Sequence, residues 1–363
     1  MTTLLSRIAG PRVRTLLAAG CVVATGSAAE APSVRPMQSF VDDAMAELGF
    51  DPAQKSELLA GKVVSVGVAD VERQPNELAI GAVMMLVPRP LEVVAEALVS
   101  DTTFRVDSDV VAYRLIGDGR ESREKLVDAF TDVAFSDKER AEASMLARVR
   151  AGHDFNLSRD EIAAFRSLGD AESDARTSVS STMADVLRGR FLAYLENGLE
   201  GVEPYARSGR KTASPRRELT VAFSSLELLE RYFPEFRLTL LRYPDQLHDD
   251  TRSRFYWIKR QFGGRPTFVL AHRLEKSRDD FVIAAELHYY VEHSYNSMLA
   301  LIACVPTAEG TLVLSISRIF TDQVTGVGSG LKKKIGRQQI VKATAEHFAE
   351  MRAALQKPSG IEP

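Results

Sequence analysis

The spacing of apolar residues divides the chain into stretches of different character. Between residues 37 and 60, Phe40, Met45, Leu48 and Phe50 fall near helical spacing, and Asp51-Pro52 restarts the chain, which predicts a helix or a helix pair. Val63, Val64, Val66 and Val68 predict a strand, Gln74-Pro75-Asn76 a turn, and Leu78–Val87 a second, richly apolar strand. Pro88-Arg89-Pro90 stops that strand, and Leu91–Val99 follows as a helix with Val94, Ala95 and Leu98 on one side.

The middle of the chain is polar and helical. Ser136-Asp137-Lys138-Glu139 and Ser158-Arg159-Asp160-Glu161 both match the capping box, in which a Ser hydroxyl and a Glu carboxylate satisfy reciprocal amides at a helix start. Helices are therefore expected over 137–150 and 159–168, and another over Met183–Asn197, stopped by Gly198. Residues 169–182 read as a linker or solvated helix face, and Gly201–Pro215 as loop. After Arg216 the pattern becomes β-branched and aromatic, with strands expected over Arg237–Tyr243, Ser253–Phe262, Thr267–Lys276, Phe281–Val291 and Thr311–Phe320. Short polar connections between successive strands argue for an antiparallel sheet. The last expected element is a long helix over Leu331–Gln356. Its apolar stripe, Val341, Thr344, Ala345, Phe348, Met351 and Leu355, needs a surface to pack on, and a sheet face is the surface at hand.

Composition narrows the class. With 45% apolar and 26% charged residues and only two Cys among 363 residues, the sequence is neither low-complexity, collagen-like nor disulfide-stapled. Arg7, Arg12 and Arg14, the apolar stretch Thr15–Thr25 and the small residues Ser27-Ala28-Ala29 form a secretory signal, cleaved after Ala29. A lipoprotein signal at Cys21 is the alternative, with Arg14 leaving an apolar segment shorter than the ~7–15 residues expected. Cleavage leaves one thiol, Cys304, in the apolar run Leu299–Val305, where it reads as buried filler. The expected organisation is a signal peptide over 1–29, a helical leader over 30–60, a main domain over 61–357 and a tail over 358–363. The compartment is periplasmic. Charge is segregated: residues 30–205 carry 19 basic and 32 acidic side chains, residues 206–363 carry 24 and 17. That hints at an anionic partner for the second half, or at two halves that face each other. A net negative mature chain disfavours nucleic acid.

Ala79–Val87, running into Pro88-Arg89-Pro90-Leu91-Glu92-Val93-Val94, together with the strands and helix of 237–356, resembles the START-like, helix-grip superfamily. The resemblance implies an α+β fold, with a curved antiparallel sheet gripping a long C-terminal helix around an apolar cavity for lipids, sterols or polyketides. Residues 118–205 then form a helical insertion, as a lid or separate domain. The block Tyr289–Arg337, with His293-Ser294-Tyr295-Asn296-Ser297 and Thr321-Asp322-Gln323-Val324, is also similar to exported bacterial proteins of unassigned function.

Candidate chemistry concentrates in the second half. His272 alternates with Phe268, Leu270 and Leu274 and so points to an apolar face; His288 shares a face with Glu286 and Tyr290, opposite Tyr289. If their strands are neighbours, His272, His288, His293 and the hydroxyls of Tyr289 and Tyr295 meet near one cavity. Three roles are open to these histidines: satisfied core residues, polar anchors for an apolar ligand, or an acid–base or metal site. No metal-ligand spacing such as His-Glu-x-x-His occurs, so neither a metal nor a cofactor is expected. Trp257 is expected in the sheet core or cavity wall. Arg318, alternating with Leu314, Ile316 and Phe320, places a charge on the apolar face, for a ligand carboxylate or an ion pair such as with Glu286. Asp322 could orient a histidine or cap a turn. Gly326–Lys332 fails the phosphate-loop spacing, yet Lys332, Lys333, Lys334 and Arg337 crowd cations at a helix start, where the macrodipole favours anions. That points to an anionic head group or membrane surface, against a basic end neutralised by the acidic first half. The expected function is a periplasmic binding or carrier protein for an apolar, anionic, lipid-like ligand. The alternatives are an enzyme using a histidine cluster in the same cavity and a structural envelope protein without ligand.

Overall fold

The computed structural model describes residues 37–67, 76–99, 109–169, 175–322 and, within 341–355, all but residues 343, 347 and 354. The proposed signal peptide, the basic residues Lys332, Lys333, Lys334 and Arg337, and the tail lie outside the described residues.

Among the described residues eight strands form one antiparallel sheet: β1 (Val64–Gly67), β2 (Glu77–Val87), β3 (Val110–Gly117), β6 (Thr251–Phe262), β7 (Arg265–Arg278), β8 (Phe281–Val291), β9 (Ser297–Thr307) and β10 (Gly310–Phe320). Their order is β1-β2-β10-β9-β8-β7-β6-β3, so β6 to β10 form a meander and its last strand returns to lie beside β2. β4 (Tyr205–Ala206) and β5 (Thr212–Ala213) make a separate small hairpin. The β-branched and aromatic runs seen in the sequence have a direct cause: both faces of the long strands are covered, each by a different set of elements. The structure is α+β, as expected, and the strands β6, β7, β8 and β10 fall where their β-branched and aromatic runs place them.

One face carries a large core. Ala82, Met84 and Leu86 of β2, Leu312, Leu314 and Ile316 of β10, and Phe255, Trp257, Phe268, Leu270, Ile283, Leu287 and Leu299 are buried against helices. These are α1 (Phe40–Leu48), α2 (Pro52–Leu59), α4 (Arg123–Asp128), α5 (Arg140–Ala147), α6 (Arg159–Arg166), α7 (Ala175–Asn197), α8 (Pro215–Ser224), α9 (Glu227–Tyr232) and α10 (Pro234–Arg242). Both expected capping boxes form: Ser136 N donates to Glu139 Oε2 at 2.6 Å and Ser158 N to Glu161 Oε2 at 2.7 Å. Gly198 ends α7 at φ +54°, where a Cβ would stand 1.8 Å from the Tyr243 carbonyl oxygen, so no other residue fits.

The opposite face carries α3 (Leu91–Val99). Leu91, Val94, Ala95, Leu98 and Val99 pack on Val83, Met85 and Val87 of β2, Val313 of β10, Cys304 of β9 and Val282 and Ala284 of β8. The terminal helical residues join this cluster through Ala345, Phe348, Met351 and Leu355, so the C-terminal stripe packs on the sheet. It comes close: a Cβ on Gly81 would meet Val341 Cγ2 at 3.1 Å, and Arg352 Nε donates to the Leu86 carbonyl at 2.9 Å. Burial pushes the Cys304 thiol up to about 12, as a filler residue requires.

Three expectations are corrected. Arg237–Tyr243 is not a strand but lies in and just after α10, with Pro234 at its first turn and Phe236, Thr239 and Leu240 buried at helical spacing. The helix expected from Met183 begins at Ala175, so of the two readings of 169–182, linker or helix face, the helix face holds from Ala175 onward. Helices also continue beyond 205, so the stretch between β3 and β6 is mostly helical as far as Arg242, interrupted by the β4–β5 hairpin.

Candidate functional site

The histidines do not converge. His272 pairs in register with Leu287, and His288 with Ala271, so the two imidazoles point to opposite faces. A bulge at the β7–β8 pairing, between Leu270 and Ala271, sets Tyr290 opposite Leu270 and turns both Tyr289 and Tyr290 toward the helical side. Tyr290 thus does not share the His288 face.

On the helical side, His272 is fully buried between the Tyr194 hydroxyl, 2.9 Å from Nδ1, and Ser253 Oγ, 2.9 Å from Nε2, and stacks on Phe255 at 4.1 Å. Burial pulls its pKa down to about 3, so the ring is neutral. Tyr289 stacks on Tyr194 at 4.0 Å. Trp257 Nε1 donates to the Ala129 carbonyl at 2.6 Å and belongs to the core. Arg318, at 0% exposure, pairs with Glu77 at 2.6 Å and donates to the Ala222 carbonyl at 2.9 Å, not with Glu286. His293 follows β8, its Nε2 at 2.9 Å from the Pro266 carbonyl and 2.8 Å from Thr267 Oγ1. A carbonyl only accepts, so Nε2 carries the proton. Burial, with Arg265 nearby, lowers its pKa to about 4.

The side with α3 is different. A chain of polar groups crosses its apolar surface. Arg273 Nη2 donates to Glu286 Oε2 at 2.5 Å, Glu286 Oε1 lies 2.9 Å from His288 Nε2, and His288 Nδ1 lies 2.7 Å from the Tyr295 hydroxyl. Burial opposes charge on Glu286, but the Arg273 guanidinium and the His288 hydrogen bond outweigh it and hold the carboxyl well below the usual range. The ionised carboxylate accepts from His288 Nε2–H, which leaves Nδ1 to the tyrosine. Burial raises the Tyr295 pKa, so its hydroxyl keeps its proton. Arg273 also sits 5.7 Å over the Tyr256 ring. Beyond this chain lies a second apolar cluster on the same face, Tyr256, Ile258, Val269, Ala271, Val291 and Tyr295, with Tyr113, Met298 and Ile319 at its margin. Of the expected residues, the structure thus brings together His288 and Tyr295; His272, Tyr289, Trp257 and Arg318 serve the opposite core.

At the end of α3, the Val99 carbonyl accepts from Arg254 at 3.2 Å and from Arg273 at 3.5 Å. A groove of about 610 Å³ opens there between α3 and the sheet, lined by Leu91, Glu92, Ala95, Glu96, Val99, Arg252, Arg254, Glu275 and Val282 among others. Among the described residues no group of three or more His, Cys, Asp or Glu side chains has the geometry to hold a metal ion.

Sequence reasoning missed a buried polar network where α8 meets the strand ends. Glu218 accepts from Asn76 at 2.5 Å, Asn296 at 2.8 Å and Ser297 at 2.6 Å. Burial lifts its pKa to about 7 against those three hydrogen bonds. Asp322 takes Arg207 Nε at 2.6 Å, rather than orienting a buried histidine; the exposed His153 stands 3.9 Å away. Arg207 also donates to Asn156 at 2.8 Å and Asn296 at 3.1 Å. Asn296 N donates to the Phe320 carbonyl at 2.7 Å, so the two sequence blocks at 293–297 and 321–322 meet in space. Their dense polar composition was the available signal. No protein-family model, curated protein or solved structure matches the chain.

Proposed function

We propose that the protein is an exported, periplasmic binding or carrier protein with a START-like framework, holding an apolar ligand with a charged end on the α3 side of the sheet. The observation that carries this reading is the polar chain Arg273–Glu286–His288–Tyr295. It is flanked by the apolar Tyr256, Ile258, Val269 and Ala271 on one side and by α3 on the other, with Arg252, Arg254 and Glu275 on the same face. A ligand in the groove beside α3 meets the apolar floor of Leu91, Ala95, Val99 and Val282 for its body, at ~25 cal/mol per Å² buried, and Arg252 and Arg254, next to the end of the polar chain, for its polar end. The terminal helix on this same face, and the return of β10 to β2, support the helix-grip arrangement.

Native mass spectrometry of the purified protein, followed by organic extraction, tests the reading. A co-purifying amphiphile is expected, and its recovery falls in Glu286→Gln. Absence of any extractable amphiphile across several preparations overturns it.

A further inference from the structure

The groove beside α3 is lined by charges of both signs, Glu92 and Glu96 on the helix and Arg252, Arg254 and Arg278 with Glu275 and Asp279 on the sheet side. Glu92 and Glu96 stand four residues apart on the exposed side of α3, with Leu91, Ala95 and Val99 below them. Like charges at this spacing repel on an isolated helix. Among the described residues neither carboxylate has a cation within 4.0 Å. The facing wall belongs to β6 and β7. Arg252 and Arg254 point to the same side of β6 and share one carboxylate: Arg254 reaches Glu275 at 3.2 Å, while exposed Arg252 is left at 3.7 Å. The next cation along, Arg278, is held by Glu235 at 2.8 Å. The floor, Leu91, Ala95, Val99 and Val282, is apolar.

A simple anion on the arginine wall meets repulsion from Glu92 and Glu96, and a simple cation on the helix wall meets repulsion from Arg252 and Arg254. We propose that the groove takes a zwitterion, whose ammonium lies against Glu92 and Glu96 and whose phosphate or carboxylate lies against Arg252 and Arg254, joining charges that face each other without meeting. The inference rests on the carrier reading and names the charged end of its ligand. Two sources share this chemistry, a phosphoethanolamine lipid head group and a free zwitterion such as O-phosphoethanolamine.

The test incubates purified protein with vesicles of phosphatidylethanolamine and phosphatidylglycerol in equal amounts and identifies retained lipid by native mass spectrometry. Calorimetry with O-phosphoethanolamine runs beside it. Phosphatidylethanolamine is expected to be retained in preference. The E92Q/E96Q double variant, both positions being exposed, should keep total lipid but lose about tenfold of that preference, the sum of two exposed ion pairs. R252Q should weaken retention of both lipids, since both carry phosphate. Equal retention of the two lipids, or a preference unchanged in E92Q/E96Q, overturns the zwitterion assignment and leaves the carrier reading standing. Binding of O-phosphoethanolamine without any lipid supports the zwitterion site and overturns the carrier reading. Binding of neither overturns both.

Discussion

The two faces of the sheet solve different problems with the same strands. Among the described residues nine helices close the helical side over an aromatic core in which polar atoms are spent on one another: His272 on Tyr194 and Ser253, Arg318 on Glu77, Trp257 on a carbonyl. The α3 side has two smaller apolar clusters with a line of ionised and hydroxyl groups between them and a charged groove at its edge. The lesson is that a histidine on an apolar strand face says little until the other side of that strand is known. His272 and His288, one register step apart across β7 and β8, end in a sealed core and in a polar chain respectively.

The sharpest way to break this contrast is to open the core of the helical side. Arg318→Ala leaves Glu77 buried without its cation and should cost roughly 3–5 kcal/mol, read from urea midpoints, with ligand recovery per folded protein unchanged. Phe255→Ala opens the stack on His272 and Phe191 and should cost a similar ~3–5 kcal/mol. A loss under about 1 kcal/mol in both would mean that the helical side is not the solid one.

Next in size is the pH response of the groups buried on the helical side. Glu218 and Glu292 have folded pKa values raised to about 7 and about 8, chiefly by burial; Glu292 faces Glu142, Arg265 and Lys259. Raised carboxyls favour the folded state while protonated, so their contribution is lost as pH rises from the unfolded value near 4.5 through 7 and 8. His272 and His293, lowered to about 3 and about 4, act in reverse: their contribution is present above the unfolded value near 6.5 and is lost as pH falls. Between these windows the two pairs oppose each other. Above pH 6.5 only the carboxyls act, and stability should fall by on the order of 2 kcal/mol by pH 8. Glu292→Gln should flatten that fall in chemical denaturation across the same range.

Smallest in stability are the changes on the α3 side. Tyr295→Phe removes one hydrogen bond to His288 and should cost about 1 kcal/mol, with a larger effect on retained amphiphile than on the denaturation midpoint. A variant that loses stability but no ligand would make the polar chain a structural strut.

Much of the sheet was legible because each long strand is buried on both faces by residues that suit a pleated surface: the runs 253–262, 267–276, 281–291 and 311–320 need no tertiary information. Helix α10 was not, because Leu238-Thr239-Leu240-Leu241, three leucines around a β-branched threonine, suits a strand as well as a helix. The deciding signals were Pro234 at its start and the helical spacing of Phe236, Thr239 and Leu240. The face of Tyr290 was illegible, since a bulge is a property of the pairing between strands and not of one strand's alternation. Of the site, His288 and Tyr295 could be named from the sequence. That His288 shares a face with Glu286 followed from alternation; the partnership with Arg273 could not be read, nor could the Glu218–Arg207–Asp322 network, because register across the sheet and the return of α8 onto the strand ends decide both.

The most direct test of which face holds the ligand is photo-crosslinking with a diazirine-bearing phospholipid, mapped by peptide mass spectrometry on the purified protein. The account predicts labels on α3 and on the facing residues Arg252, Arg254 and Val282 of the sheet, displaced by unlabelled phosphatidylethanolamine. Labels confined to α7, α8 or the aromatic core on the opposite side would contradict it.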